Sequence, residues 1–308
     1  MKARQLQRLV FQWGYSLLPF AAKVKLLNAI CAELQLRVLC QYTRLRLPLL
    51  APNDGIIKAL AHEHEYWDQQ VIEWVCRTIP RGSTCLDIGA NVGFWTIPLA
   101  LAQRRLGGGR VLAFEPTPAT LEILRANLRL NELAATEVAV QSYALGAEKG
   151  TAELACFDGV HQSCGWNTLG DPKRLGPEAR KFTVTQVPMR PLDEVWREIG
   201  SPVVAFVKID VEGFEAHVIR GGRNFFRAQA LVPEFAAYAE INRVALEACG
   251  SSVPALLEAI RAVGLIPATI VFGQGVRPDI VALTDARMLE LTRADILLVP
   301  PGSAFLTG

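Results

Sequence analysis

The sequence lacks the patterns on which several protein classes depend. Its seven cysteines, at 31, 40, 76, 85, 156, 164 and 249, include no Cys-x-x-Cys pair and are odd in number. That leaves out the usual zinc spacings and argues against a disulfide framework, so reduced thiols in a cytoplasmic protein are expected. Histidine is scarce: the four residues 62, 64, 161 and 217 form no metal-binding pair. His62 and His64 read as a loop feature, and His217 falls one turn into a helix, facing either substrate or core. The net charge is only +2, so no global field points to nucleic acid as a partner. The apolar run Leu9–Ala22 is interrupted by Gln12 and Pro19. It falls short of the roughly 20 residues that span a bilayer, and no clean small-x-small cleavage site follows it.

What is present is globular: 51% of the 308 residues are hydrophobic and 20% charged. Residues 1–50 hold eight Lys/Arg against one acid, Glu33. Residues 1–60 are therefore expected to form a basic, largely helical extension. It acts as a cap on the domain or, alternatively, touches a membrane surface or a partner. From 61 to 308 the chain reads as one α/β domain. Val71, Trp74 and Val75 share a helical face, Ser83–Asp87 is a short apolar strand, and Phe94–Gln103 is helical. The strand Arg110–Glu115, a helix over Pro118–Leu130 and a strand over Glu137–Gln141 repeat the alternation. Thr151–Cys156 and Phe182–Val187 are strand-like around a polar stretch, so an inserted loop or hairpin is expected at about 151–190. Val203–Asp210, a helix to Gly221, Pro233–Glu240, a helix over Val253–Val263, and the pair Ile266–Phe272 with Asp295–Val299 complete the pattern. Strands alternating with helices predict a mostly parallel sheet covered on both faces. Ligands on such sheets bind at the carboxyl ends of strands, near the switch point in strand order.

Two constellations sit at those ends. Gly89 and Gly93 flank a tight loop that leads into a helix, whose first N–H groups are free to meet a ligand. The next strand ends in Glu115, an acid suited to a ribose diol. Together they predict a nucleoside site. A dinucleotide site needs Gly-x-Gly-x-x-Gly, whereas this loop has Gly-x-x-x-Gly with Asp87 before it. Asp87 would repel a pyrophosphate and attract the cationic amino-acid end of S-adenosylmethionine. The second constellation is Lys208-Ile209-Asp210-Val211-Glu212-Gly213, with alternation putting Lys208 and Asp210 on one side of a strand. Glu240 ends a neighbouring strand.

These residues resemble a known family, the FkbM-type methyltransferases. The resemblance runs through Asp87–Gly93, Phe114-Glu115-Pro116, Asn127–Asn131, Ala144-Leu145-Gly146, Pro191-Leu192-Asp193, Lys208–Gly213 with Val218–Gly222, and Pro233–Glu240, in order over roughly Glu73 to Val299. Arg190-Pro191-Leu192-Asp193 departs from the family's usual Thr-Leu-Asp. The resemblance implies a Rossmann-like class I methyltransferase fold, with a mostly parallel seven-stranded sheet whose last strand is antiparallel. It implies S-adenosylmethionine as cofactor and methyl transfer to a hydroxyl of a sugar or secondary metabolite. The acceptor is then a small molecule or glycan, and no motif specifies an oligomeric state. Asp87, Gly89, Ala90, Asn91, Gly93, Glu115, Pro116 and Tyr143 are assigned to the cofactor. Lys208, Asp210, Glu212 and Glu240 are assigned to the chemistry, with Asp210 and Glu240 as bases whose mutual repulsion raises one carboxyl's pKa. No metal ligands are assigned. A variant lets Asp210, Glu212 and Glu240 hold a divalent cation. Two other readings compete: an NAD-linked oxidoreductase and a non-catalytic nucleoside-binding module.

Overall fold

A computed structural model describes residues 68–157, 167–175, 182–273 and 277–307, and the backbone of 34–38 and 41–45. Before the domain lie strands β1 (Leu34–Val38) and β2 (Gln41–Leu45), paired antiparallel. This hairpin replaces helix over that part of the extension, and the remaining expectations for residues 1–60 lie outside the described residues. No helix among the described residues is long and apolar enough to cross a membrane.

The main sheet uses β3 (Thr84–Ile88), β4 (Arg110–Phe114), β5 (Val138–Gln141), β9 (Val204–Ile209), β10 (Ala236–Asn242), β11 (Ile266–Val271), β12 (Asp279–Ala282) and β13 (Arg293–Val299). Their order is β12-β11-β13-β10-β9-β3-β4-β5. Neighbours from β5 through β10 are parallel. The last strand, β13, inserts antiparallel between β10 and β11. The expected sheet therefore gains an eighth strand, β12, antiparallel on the edge beside β11. The chain enters at β3, winds out to β5 and then returns to β9, which makes the β3–β9 boundary the switch point. All six residues of β9 are buried, as a central strand covered on both faces requires.

One face is covered by α1 (Gln69–Thr78), α2 (Thr96–Arg105) and α3 (Pro118–Leu130), which bury Val71, Ile72, Ile97, Leu99 and Leu124 against it. The other carries α4 (Leu192–Glu198), α5 (Glu215–Gly221), α6 (Arg223–Gln229), α7 (Arg243–Ala248), α8 (Val253–Ala262) and α9 (Asp285–Glu290). The inserted region is a second sheet: β7 (Gly150–Phe157) and β8 (Phe182–Arg190) form an antiparallel hairpin, and β6 (Ala144–Leu145) runs parallel to β8.

Several motif residues prove to be fasteners. A Cβ on Gly221 would lie 1.9 Å from the carbonyl oxygen of Gly146, so the residue after β6 meets α5 only because Gly221 has no side chain. Asp193 accepts from the backbone N–H groups of Asn224 (3.0 Å) and Phe225 (2.8 Å), holding the first turn of α6. Asn127 Nδ2 donates to the Val92 carbonyl at 2.6 Å, tying α3 to the loop after β3.

Candidate active site

The loop after β3 is fixed by its backbone. The N–H groups of Gly89 and Ala90 donate to the Phe114 carbonyl at 3.0 and 2.9 Å, so the loop hangs on the end of β4. Gly89 (φ +86°), Asn91 (φ +50°) and Gly93 (φ +102°) take left-handed conformations. A Cβ on Gly89 would sit 1.8 Å from the Asp210 carbonyl oxygen, and one on Gly93 would press Ile97 and Leu124 at 3.0 Å. Both glycines are thus required by close packing of the loop on β9, α2 and α3.

Asp87 is 1% exposed and accepts a hydrogen bond from Thr96 Oγ1 at 2.5 Å through Oδ2. Its Oδ1 is buried without a partner. Burial raises the carboxyl's pKa, opposed by Lys208 and by the Thr96 bond. Glu115, also buried, accepts from the Asn91 N–H (2.9 Å, Oε2) and the Thr117 N–H (2.8 Å, Oε1). The two backbone bonds and one from the Thr117 side chain orient the carboxylate. Burial raises its pKa as well, against those backbone bonds.

Across the switch point Lys208 is paired in register with Asp87 on one side and Tyr238 on the other. It is 6% exposed, and its Nζ donates to Asp210 Oδ2 at 2.6 Å. Burial alone would lower the ammonium's pKa; Asp210 and Asp87 outweigh it and hold the group above its ordinary value. The expected same-side placement of Lys208 and Asp210 is therefore what forms. The Asp210 N–H donates to the Ile88 carbonyl at 3.0 Å, which joins the ends of β3 and β9.

The turn after Asp210 carries Glu212 at φ +50° and Gly213 at φ +100°. A Cβ on Gly213 would lie 2.2 Å from the Ala245 carbonyl oxygen, so the turn packs closely on α7. Glu215 braces it: Oε1 accepts from the N–H groups of Val211 (3.2 Å) and Gly213 (3.1 Å). Burial pushes the Glu215 carboxyl up to about 7. Glu240, whose side chain is 12% exposed, pairs with Arg293 at 3.2 Å. Burial and the charge of Asp210, partly offset by Arg293, push its carboxyl up to about 8. Glu212 is raised too, by burial and then by Asp210 and Glu240. The expected mutual repulsion thus falls on Glu240 and Glu212.

Asp210, Glu212 and Glu240 each bring one carboxylate oxygen within 4.8 Å of the others. Asp87, Gly89, Ala90, Asn91, Gly93 and Glu115, with Pro116 beside it, form one loop cluster next to them. The ring of Tyr143 packs edge-on against Phe114, the residue before Glu115, at 5.9 Å, with Arg190 over its face at 5.3 Å. His217 stacks on Phe214 at 4.2 Å and Nε2 donates to the Cys249 carbonyl at 3.1 Å, which is a packing role. The inserted segment does reach the site. Asn167 Nδ2 donates to Thr117 Oγ1 at 3.2 Å, and Thr168 Oγ1 donates to the Glu212 carbonyl at 3.1 Å.

Sequence reasoning missed Asp68, Trp95 and Tyr238. Asp68 accepts from Trp95 Nε1 at 3.1 Å and from the Tyr238 hydroxyl at 3.2 Å. The positions lie 27 and 170 residues away, so no local spacing exposes them.

Six strands sharing one direction, β13 slotted between β10 and β11, and acids at successive strand ends define a Rossmann-like class I methyltransferase architecture. The methyltransferase FkbM domain model matches residues 87–264, and the chain belongs to that family. Methyltransferase sdnD of Sordaria araneosa is 28% identical over 166 residues, covering 46% of this chain and 61% of that protein. Methyltransferase 1 of Beauveria bassiana is 27% identical over 152 residues, covering 46% and 59%. The chain therefore spans about three-fifths of the length of these curated relatives. Among solved structures, the methyltransferase FkbM of Methylobacillus flagellatus overlays with a TM-score of 0.40 at 14% identity, covering 81% of this chain and 56% of that one.

Proposed function

We propose that this chain transfers a methyl group from S-adenosylmethionine to a hydroxyl oxygen of a small polyhydroxylated acceptor, a sugar or a secondary metabolite. The observation that carries the proposal is Asp87 Oδ1, a buried carboxylate oxygen left without a partner at the switch point. Such an atom is costly unless a ligand supplies a donor or a positive charge. The residues fit this cofactor: Asp87 meets its cationic end, Glu115 its ribose hydroxyls, and the loop Gly89–Gly93 its backbone contacts. When bound, it supplies an electrophilic methyl on a sulfonium. Tyr143, after the strand beyond Glu115, is taken as a further contact of the cofactor.

The chain's own residues then have two tasks. Lys208 holds Asp210 in place at 2.6 Å, next to Glu240 and Glu212. An acceptor hydroxyl seated among these carboxylates is oriented by hydrogen bonds, and Glu240 or Asp210 takes its proton. A divalent cation on the same three carboxylates is a finer reading, and unchanged activity after chelation would remove it. We take residues 61–308 as the catalytic unit, the insertion at about 151–190 as its acceptor cover, and the cytoplasm as its location.

An NAD-linked oxidoreductase is disfavoured because Asp87 would face the pyrophosphate. A non-catalytic nucleoside-binding module is disfavoured by the carboxylates gathered beyond the nucleoside loop. The test uses Asp210→Asn with calorimetric titration of S-adenosylmethionine and a methyl-transfer assay over an acceptor panel. Donor affinity should stay within about threefold while turnover falls by roughly 10²-fold or more. Wild-type turnover in that variant would sink the assignment.

A further inference from the structure

Asp68 stands immediately before α1 in a left-handed conformation, φ +56°, and its side chain makes no cap bond to that helix. Its carboxylate instead receives two side chains from distant parts of the fold: the Trp95 indole N–H on Oδ2 and the Tyr238 hydroxyl on Oδ1. Trp95 is the residue before α2, two positions beyond Gly93. Its ring, 3% exposed, stacks on Phe206 of β9 at 5.4 Å and 14°, and leans on Tyr238 of β10 at 5.3 Å and 37°. Tyr238 is the register partner of Lys208. One carboxylate therefore links the end of the Asp87–Gly93 loop to the strand beside the Lys208–Asp210 pair.

The charge pattern supports a role beyond packing. The charges of Lys208 and Asp210 both reach the buried Asp68 carboxyl. Its bond from Nε1 leaves Trp95 with one orientation, because an indole N–H has a single donor direction, and its second bond holds the Tyr238 hydroxyl beside it. A misplaced Trp95 would shift the start of α2, where Thr96 holds Asp87 at 2.5 Å. The path from Asp68 to the donor pocket is thus Asp68, Trp95, Thr96, Asp87.

We infer that Asp68 is a positioning residue of the donor site, fixing Trp95 and Tyr238 so that Asp87 and the loop after it hold the geometry that binds the methyl donor. The inference rests on the donor-site reading given above.

The test is calorimetric titration of S-adenosylmethionine into the full chain. Asp68→Ala should weaken donor affinity by roughly tenfold, the loss expected when two hydrogen bonds to the carboxyl disappear and the wall they hold relaxes. Asp68→Asn should recover most of it, since the amide accepts from Trp95 and donates to Tyr238. A merely structural loss would lower the melting temperature without this split between alanine and asparagine. Trp95→Phe keeps an aromatic ring and removes the N–H; it should reproduce the weakened donor affinity. This variant decides the matter where Asp68→Ala does not fold. Wild-type affinity in Asp68→Ala or in Trp95→Phe, or asparagine as weak as alanine, overturns the inference. A wild-type chain that does not bind the donor removes the donor-site reading itself, and the inference with it.

Discussion

Replacing Glu240 with glutamine removes the carboxylate whose ionisation should set the pH dependence of turnover. Its carboxyl is pushed from 4.5 to about 8, by burial and then by Asp210 and Glu215, with Arg293 pulling the other way. If this group accepts the acceptor's proton, the rate follows its ionised fraction, roughly a tenth at pH 7 and roughly nine-tenths at pH 9. The wild-type kcat/KM should therefore climb roughly tenfold over that interval. Glu212 and Glu240 repel one another, so the limb's midpoint reflects both charges while the rate follows the ionisation of Glu240. Glu240→Gln should abolish the limb and lower the plateau by roughly 10²–10⁴-fold. Arg293→Ala should move the limb in the alkaline direction. The arginine side chain is 63% exposed, so screening keeps the move to roughly half a pH unit, smaller at high salt. Stability should move with it. The folded state binds a proton at Glu240 that the unfolded state releases between about 4.5 and 8, so wild-type stability falls as pH rises through that window. Glu240→Gln should flatten that fall in urea melts. Initial rates of S-adenosylhomocysteine formation at saturating donor would measure the profile. A flat wild-type profile, or a glutamine variant that keeps the alkaline limb, would refute the reasoning.

Two further outcomes follow from the site's construction. Gly89→Ala places a Cβ 1.8 Å from the Asp210 carbonyl oxygen and forces a left-handed alanine, so it should cost about 3 kcal/mol or more in a denaturant melt; a cost under about 0.5 kcal/mol would contradict the packing. Lys208→Met strands Asp87 and Asp210 without their shared cation and should destabilise the chain by about 3–5 kcal/mol near neutral pH, less in acid as the buried Asp87 carboxyl, already raised, takes up a proton; equal losses in urea melts at both pH values would contradict the electrostatic account.

Much of the frame was legible because its signals are local. α3 shows its apolar period over thirteen residues, and its bounds match the expected Pro118–Leu130. The end of β9 was legible because Lys208 and Asp210 interrupt an apolar run at alternate positions. α4, α6, α7 and α9 have only six or seven residues, too few turns for a helical period to stand out, and they did not appear in the sequence. β12, with four residues, escaped for the same reason. Gly89 and Gly93 were recognisable as special, yet their neighbours are the Asp210 carbonyl and the side chains of Ile97 and Leu124, and only the fold reveals that. Tyr143 was assigned by its place after a strand; its ring contacts with Phe114 and Arg190 are visible only in the fold. Asp68 acts through residues far along the chain, beyond any window in which a pattern repeats.

The bridge made by Asn167 and Thr168 has a consequence for changing what the protein acts on. The segment is bonded on one side to Thr117, whose N–H orients Glu115, and on the other to Glu212. Loop exchange among relatives is the natural way to alter acceptor choice in such a fold. Here the grafted piece would also be a strut between the nucleoside end and the acid end. A transplant ending at 166 leaves the strut in place. One that runs through 168 also replaces the bonds to Thr117 and Glu212, so on the proposed reading selection for a new acceptor would disturb Glu115 as well.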